Sequence, residues 1–210
     1  MNIYISAIKD FLDLDGFELL PLSRRERILR AAGREDKARL LVAGLLLRKF
    51  CGVTNDDVLA YNEKSKPYLK KGGWFSLSHS GDYVILAVCE SEIGADIEKI
   101  RDYPKRVAKR CFTPTELLWF DNDNIDSAGR NKAFFEIWTA KESIMKATGL
   151  GFSLPMKNFE VLPFGSPVSA DNKLWQINWC YHDGHIICYA TEDKASPVEL
   201  IVVSGLVSGE

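Results

Sequence analysis

Two β-hairpin signals, each preceded by helical stretches, restrict what this chain can fold into. Asp183-Gly184 separates the apolar runs 175–179 and 186–190, the strongest short-range hairpin pattern in the sequence. Trp74-Phe75-Ser76-Leu77-Ser78-His79 alternates, Ser80-Gly81-Asp82 turns, and 83–89 is almost continuously apolar, as a well-buried return strand requires. Before the first hairpin, Ser23 opens a helical stretch with arginines at 24, 25, 27, 30 and 34, most of them on one face. A second helix follows: Asp36 suits its cap, Leu41, Leu45 and Leu46 its buried stripe, Arg48 and Lys49 its carboxyl end, and Gly52 its stop. Before the second hairpin, Pro104 suits the first turn of a helix bearing Lys105, Arg106, Lys109 and Arg110. The polar stretch 121–131 reads as a loop, and a long helix over about 132–148 closes at Gly149. Residues 3–8 and 93–98 read as further strands. The predicted class is α+β in two similar halves, 1–92 and 93–210.

The length of 210 residues allows two such cores of about a hundred residues each. Lys plus Arg is 27 against 29 Asp plus Glu, a net charge of −2. Without a positive excess, sequence-independent nucleic-acid binding is disfavoured. Five cysteines with no CxxC read as reduced thiols rather than a disulfide framework. The longest apolar run, 40–47, is far short of the roughly 20 residues of a membrane span. The amino terminus carries Asp10, Asp13, Asp15 and Glu18 and no basic start, unlike a signal peptide. A cytoplasmic protein without a membrane or nucleic-acid partner is expected.

Asp96 and Glu98 lie two apart on a predicted strand, so both carboxylates project from one face, where they suit a hard cation such as Mg²⁺. Trp138, Glu142 and Lys146, four apart, line one face of the long predicted helix. Taken singly, each set reads better as a solvated surface than as a site. Cys180, His182, His185 and Cys188 have zinc-ligand chemistry. A two-residue Asp183-Gly184 turn, however, pairs Trp179 with Cys188 and turns that thiol away from the other three.

Together, Gly94-Ala95-Asp96-Ile97-Glu98 and, about forty residues later, Trp138-Thr139-Ala140-Lys141-Glu142-Ser143-Ile144-Met145-Lys146 resemble the paired signature of the 4′-phosphopantetheinyl transferases. The likeness is to the longer, monomeric, surfactin-synthetase-activating type. It extends to Lys66-Pro67, Phe75-Ser76-Leu77-Ser78-His79-Ser80-Gly81, Phe112-Thr113-Pro114-Thr115-Glu116 and Gly149-Leu150-Gly151-Phe152-Ser153-Leu154-Pro155, in the family's order and spacing. Ala95, Ser65 and Leu40 depart from it, standing where a branched aliphatic, a glycine and in some members a threonine are usual.

The resemblance implies a pseudo-dimer of two α+β halves with coenzyme A in the cleft between them. Asp96, Glu98 and Glu142 would hold Mg²⁺ with the coenzyme A pyrophosphate, and Asp96 and Lys146 would lie against that co-substrate. Arg24, Arg27, Lys66, Pro67, Ser78 and His79 would bind coenzyme A, with His79 and Ser78 at its 3′-phosphate. A serine of an apo acyl or peptidyl carrier protein would take the phosphopantetheine arm, its proton passing to Glu142 or Lys146. Lys105, Arg106, Lys109 and Arg110, with Phe112, Thr113 and the 121–131 stretch, would form the face for this acidic partner. Two rival readings are a Mg²⁺-dependent coenzyme A pyrophosphate hydrolase and a non-catalytic coenzyme A- or carrier-binding protein.

Overall fold

The computed structural model describes residues 1–120, 126–192 and 198–207. They fall into two α+β units, Met1–Glu90 with Pro197–Glu210, and Ser91–Ser196.

In the first unit the weak alternation at the amino terminus becomes β1 (Asn2–Ala7), with Ile3 and Ile5 fully buried. Helix α1 (Leu22–Arg30) ends before α2 (Arg34–Cys51) begins, so the expected arginine stripe is broken. Arg34 turns instead to Asp13 and the Leu12 carbonyl. Gly33 takes the N-cap position of α2, and Asp36 lies within the first turn, paired with Arg39 at 2.7 Å. A carboxylate there still complements the helix dipole. Gly52 ends the helix at φ +65°, a left-handed conformation that costs glycine little. Strands β2 (Leu59–Tyr61) and β3 (Pro67–Leu69) form a small hairpin, followed by the predicted β4 (Trp74–Ser80) and β5 (Tyr83–Cys89).

The second unit begins with β6 (Ile93–Lys99). Helix α3 (Lys105–Cys111) starts after Pro104, which is its N-cap residue rather than part of its first turn. Sequence periodicity missed α4 (Pro114–Phe120), which is only seven residues long. Helix α5 (Ser127–Thr148) starts earlier than predicted: the Asp126 side chain accepts the Gly129 amide at 2.7 Å, and Gly149 closes it at φ +71°. Residues 127–131, expected in a loop, are therefore helical, while 121–125 lie outside the described residues. Strands β7 (Val168–Ala170), β8 (Lys173–His182) and β9 (His185–Thr191) complete the unit. The register pairs His182 with His185 and Trp179 with Cys188, as the two-residue turn requires.

The carboxyl-terminal strand, β10 (Glu199–Val202), pairs in parallel with β1 and so belongs to the first unit. The expected 93–210 half therefore ends short of it.

The two units share a three-stranded core, β1-β5-β4 and β6-β9-β8, to which β10 and β7 add at opposite edges. The first strand pairs antiparallel with the second strand of the later hairpin, giving β10-β1-β5-β4 in one sheet and β6-β9-β8-β7 in the other. A long helix packs on each sheet, α2 against β5 and α5 against β6 and β9. The core of the second unit is built on α5. Phe134 stacks on Phe112 and Trp138, with centroids at 5.2 and 5.9 Å, and Phe120 closes edge-on against Phe112. Helix α5 is buried almost all round, so its orientation on the sheet is set by packing rather than by one apolar stripe.

Candidate active site

The approach of α5 to β6 determines the geometry of the acidic cluster. Gly94, Asp96 and Glu98 alternate onto one face of β6. A Cβ at Gly94 would lie 1.9 Å from the Ser143 carbonyl oxygen and 2.3 Å from the Ala147 amide nitrogen. The strand thus touches the helix backbone at the 143/147 row, beside the row that carries Glu142 and Lys146. Sequence reading included Gly94 in the motif but had no signal for this role, since periodicity carries no inter-element distance.

This contact brings the predicted residues of the second unit together. Asp96 is buried, 5% exposed, and Lys146 Nζ donates to its Oδ1 at 2.7 Å. Glu98 is partly buried and accepts from Arg101 at 3.2 Å. The Glu142 carboxyl is pushed above the ordinary glutamate range, first by burial and then by the Asp96 and Glu98 charges, with Lys146 acting the other way. Three carboxylates and one ammonium therefore share a single field. Among the described residues, no group of three His, Cys, Asp or Glu side chains is arranged to hold a metal ion.

Ser143 and Lys141 of the same motif face inward. Ser143 Oγ donates to the Ala140 carbonyl at 2.8 Å and lies 3.5 Å from Cys188 Sγ, opposite Asp96 in the β6–β9 register. Lys141 is fully buried against Glu116.

In the first unit, Arg24 and Arg27 share α1. Burial, and then Arg27, hold the Arg24 guanidinium below its ordinary pKa, with Asp56 and Tyr61 acting the other way. Tyr61 faces Pro67 across the β2–β3 hairpin. Lys66 is buried with its ammonium 5.0 Å above the Trp74 ring, at the start of the strand bearing Ser78 and His79. Ser78 is buried and His79 exposed, and as adjacent strand residues they project to opposite faces.

Ser65 has φ +62° in the turn that presents Lys66, where Asn62 Oδ1 accepts the amides of Lys64 and Lys66. A left-handed serine costs about 1–2 kcal/mol, partly offset by the greater unfolded-state freedom of glycine. Ser65→Gly is therefore expected to raise the melting temperature by about 2 °C, from a net gain of about 0.5–1 kcal/mol. Calorimetry showing an unchanged or lower melting temperature would contradict that account of the turn.

The expected carrier face changes in composition. Lys105, Arg106, Lys109 and Arg110 are exposed, whereas Phe112 and Thr113 are buried. Phe112 fills the aromatic core and Thr113 caps α4, so neither is available to a partner.

The sequence model of the family described as "ACPS: 4'-phosphopantetheinyl transferase superfamily" matches residues 92–193. The 4'-phosphopantetheinyl transferase Sfp of Bacillus subtilis (strain 168) is 34% identical over 83% of this chain and 76% of its own length. This chain belongs to the 4′-phosphopantetheinyl transferase superfamily. The 4'-phosphopantetheinyl transferase gsp of Aneurinibacillus migulanus is 31% identical over 65% of this chain and 59% of its own length. A further superfamily relative, the 4'-phosphopantetheinyl transferase of Bacillus subtilis, is 34% identical over 66% and 64%. The chain thus spans about three fifths of the length of these last two relatives.

Proposed function

We propose that this protein transfers the 4′-phosphopantetheine arm of coenzyme A to a serine of an apo acyl or peptidyl carrier protein, as a Mg²⁺-dependent monomer. The observation that carries the reading is that Glu142 lies within the field of Asp96, Glu98 and Lys146, with Lys146 bonded to Asp96, in a chain of this superfamily. The donor chemistry suits the ion, all-oxygen and acidic, although the three carboxylates are not arranged around a common point. Bound there, Mg²⁺ would neutralise charge on the pyrophosphate.

The chain's own residues then have distinct tasks. The carrier serine oxygen attacks the phosphorus bearing the pantetheine arm, and the bond to the bridging pyrophosphate oxygen breaks. Adenosine 3′,5′-bisphosphate leaves. Glu142, with Lys146 as the alternative, is the proposed acceptor of the serine proton, because both stand in the acidic cluster beside Asp96. Lys146 stabilises the charge on the attacked phosphate. Coenzyme A contacts from the first unit are assigned to Arg24, Arg27, Lys66, Pro67, Ser78 and His79. The exposed basic row of α3, Lys105, Arg106, Lys109 and Arg110, suits an acidic carrier protein.

The Lys146 ammonium on Asp96 Oδ1 competes with a cation for that carboxylate. Lys146→Met is therefore expected to tighten Mn²⁺ binding by about tenfold, or ~1.4 kcal/mol, while slowing transfer. Titration calorimetry with Mn²⁺ checks this, and weaker binding in the variant contradicts it. The function itself is tested by following adenosine 3′,5′-bisphosphate. Release that requires apo carrier protein supports the transferase, and release into buffer alone marks a coenzyme A hydrolase.

A further inference from the structure

Lys141 is as deeply buried as any side chain in the protein, and the chemistry proposed above does not use it. Its ammonium has three protons, and each has a partner: Glu116 Oε1 at 2.9 Å, the Met156 carbonyl at 2.7 Å and the Phe159 carbonyl at 2.8 Å. Its charge also lies 4.6 Å from the Phe159 ring centroid. Glu116 is satisfied in turn. Its Oε2 accepts the Thr113 amide at 2.8 Å, its Oε1 accepts the Val161 amide at 3.0 Å, and its own amide donates to Thr113 Oγ1 at 3.2 Å. Thr113-Pro114-Thr115-Glu116 is thus a capping box at the start of α4, whose carboxylate also holds a lysine from α5.

The three bonds diverge from one nitrogen to two separate segments. A slide of α5 along its axis, or a rotation about it, breaks them together. Lys141 sits next to Glu142, about 100° around the helix, so it constrains α5 from a direction other than the Gly94 contact. We propose that Lys141 is a positioning residue, whose ammonium clamps α5 to the Thr113–Glu116 capping box and the 156–159 carbonyls so that Glu142 and Lys146 meet Asp96. The clamp never touches substrate. This inference rests on the transferase reading for its kinetic consequence, but its geometric content is independent of it.

The test uses the full chain with Lys141→Met and the neutral pair Glu116→Gln/Lys141→Met. The pair removes the stranded buried carboxylate and so separates a folding defect from loss of the clamp. Three quantities are read: kcat and KM for carrier modification, Mn²⁺ affinity, and hydrogen exchange across residues 139–148. In the folded neutral pair, kcat is expected to fall about 30-fold with the carrier KM unchanged. Mn²⁺ binding should weaken about tenfold, and exchange should quicken locally in 139–148. A role confined to stability predicts instead that the folded pair keeps kcat and Mn²⁺ affinity within about twofold of native, and that result overturns the proposal. Native protein that modifies no carrier sinks the transferase reading instead. The exchange comparison then still decides the clamp, and unchanged protection in 139–148 overturns it.

Discussion

Gly94→Ala is expected to lower carrier modification by about 100-fold and the melting temperature by about 10 °C. The added Cβ would sit 1.9 Å from the Ser143 carbonyl oxygen and 2.9 Å from Ala147 Cα, inside the 3.0 Å that such contacts essentially never breach. Both neighbours are helix backbone, so no side-chain rotation relieves the clash. Helix α5 must withdraw from β6 by about 1 Å. Overpacking of this kind costs about 3 kcal/mol, and in a chain of this size each kcal/mol moves the midpoint by about 2–4 °C. The withdrawal carries Glu142 and Lys146 away from Asp96 and Glu98, and a displacement of about 1 Å is worth about 100-fold in rate. Calorimetry and a single-turnover assay on the same preparation read both effects. An active variant with a native midpoint would show that β6 and α5 are not in backbone contact.

Glu142→Gln is expected to move rate and stability in opposite directions. Loss of the proposed general base typically costs about 10²–10⁴-fold in rate. Yet the Glu142 carboxylate is disfavoured in the folded protein by burial and by Asp96 and Glu98, more than Lys146 compensates. Its folded pKa lies above the unfolded value, so the protonated form is the better accommodated one. The resulting stability is fully present below the unfolded pKa, near 4.3, and is lost as pH rises through the folded value. Glutamine mimics the protonated form at every pH. In EDTA the variant should therefore melt a few degrees above the native protein at pH 7, and the two should converge as pH falls below about 4. Saturating Mg²⁺ should remove the advantage by stabilising only the native carboxylate. A variant that melts lower than native in EDTA at pH 7 contradicts the reading of the acidic cluster.

Much of this was legible in the residues. Alternation and the Asp183-Gly184 turn gave both hairpins and the β8–β9 register, because a two-residue turn leaves one pairing. Gly52 and Gly149 marked the ends of α2 and α5 for a local conformational reason. The ends that misled depend on tertiary context. Helix α5 reaches back to Asp126 through its cap and aromatic packing, although 127–131 is too polar to show a helical stripe. Strand β10 joins β1 across nearly the whole chain, and four residues leave no periodic trace of such a partner. In the acidic cluster, Asp96, Glu98, Glu142 and Lys146 were visible as residue types at regular spacing. Gly94 and Lys141 hold their positions through distances to other elements, which no single-sequence pattern encodes. Thr113-Pro114-Thr115-Glu116 was read only as part of the family resemblance and not as a capping box, and nothing local ties its glutamate to a lysine of α5.

Intact mass measurement of an apo carrier protein, incubated with this protein, coenzyme A and Mg²⁺, tests the central claim most directly. The account predicts a gain of about 340 Da on the carrier, one phosphopantetheine arm in covalent linkage to serine, and no gain with Glu142→Gln. An unmodified carrier across fatty-acid, polyketide and peptide types, from protein that binds coenzyme A, would contradict it.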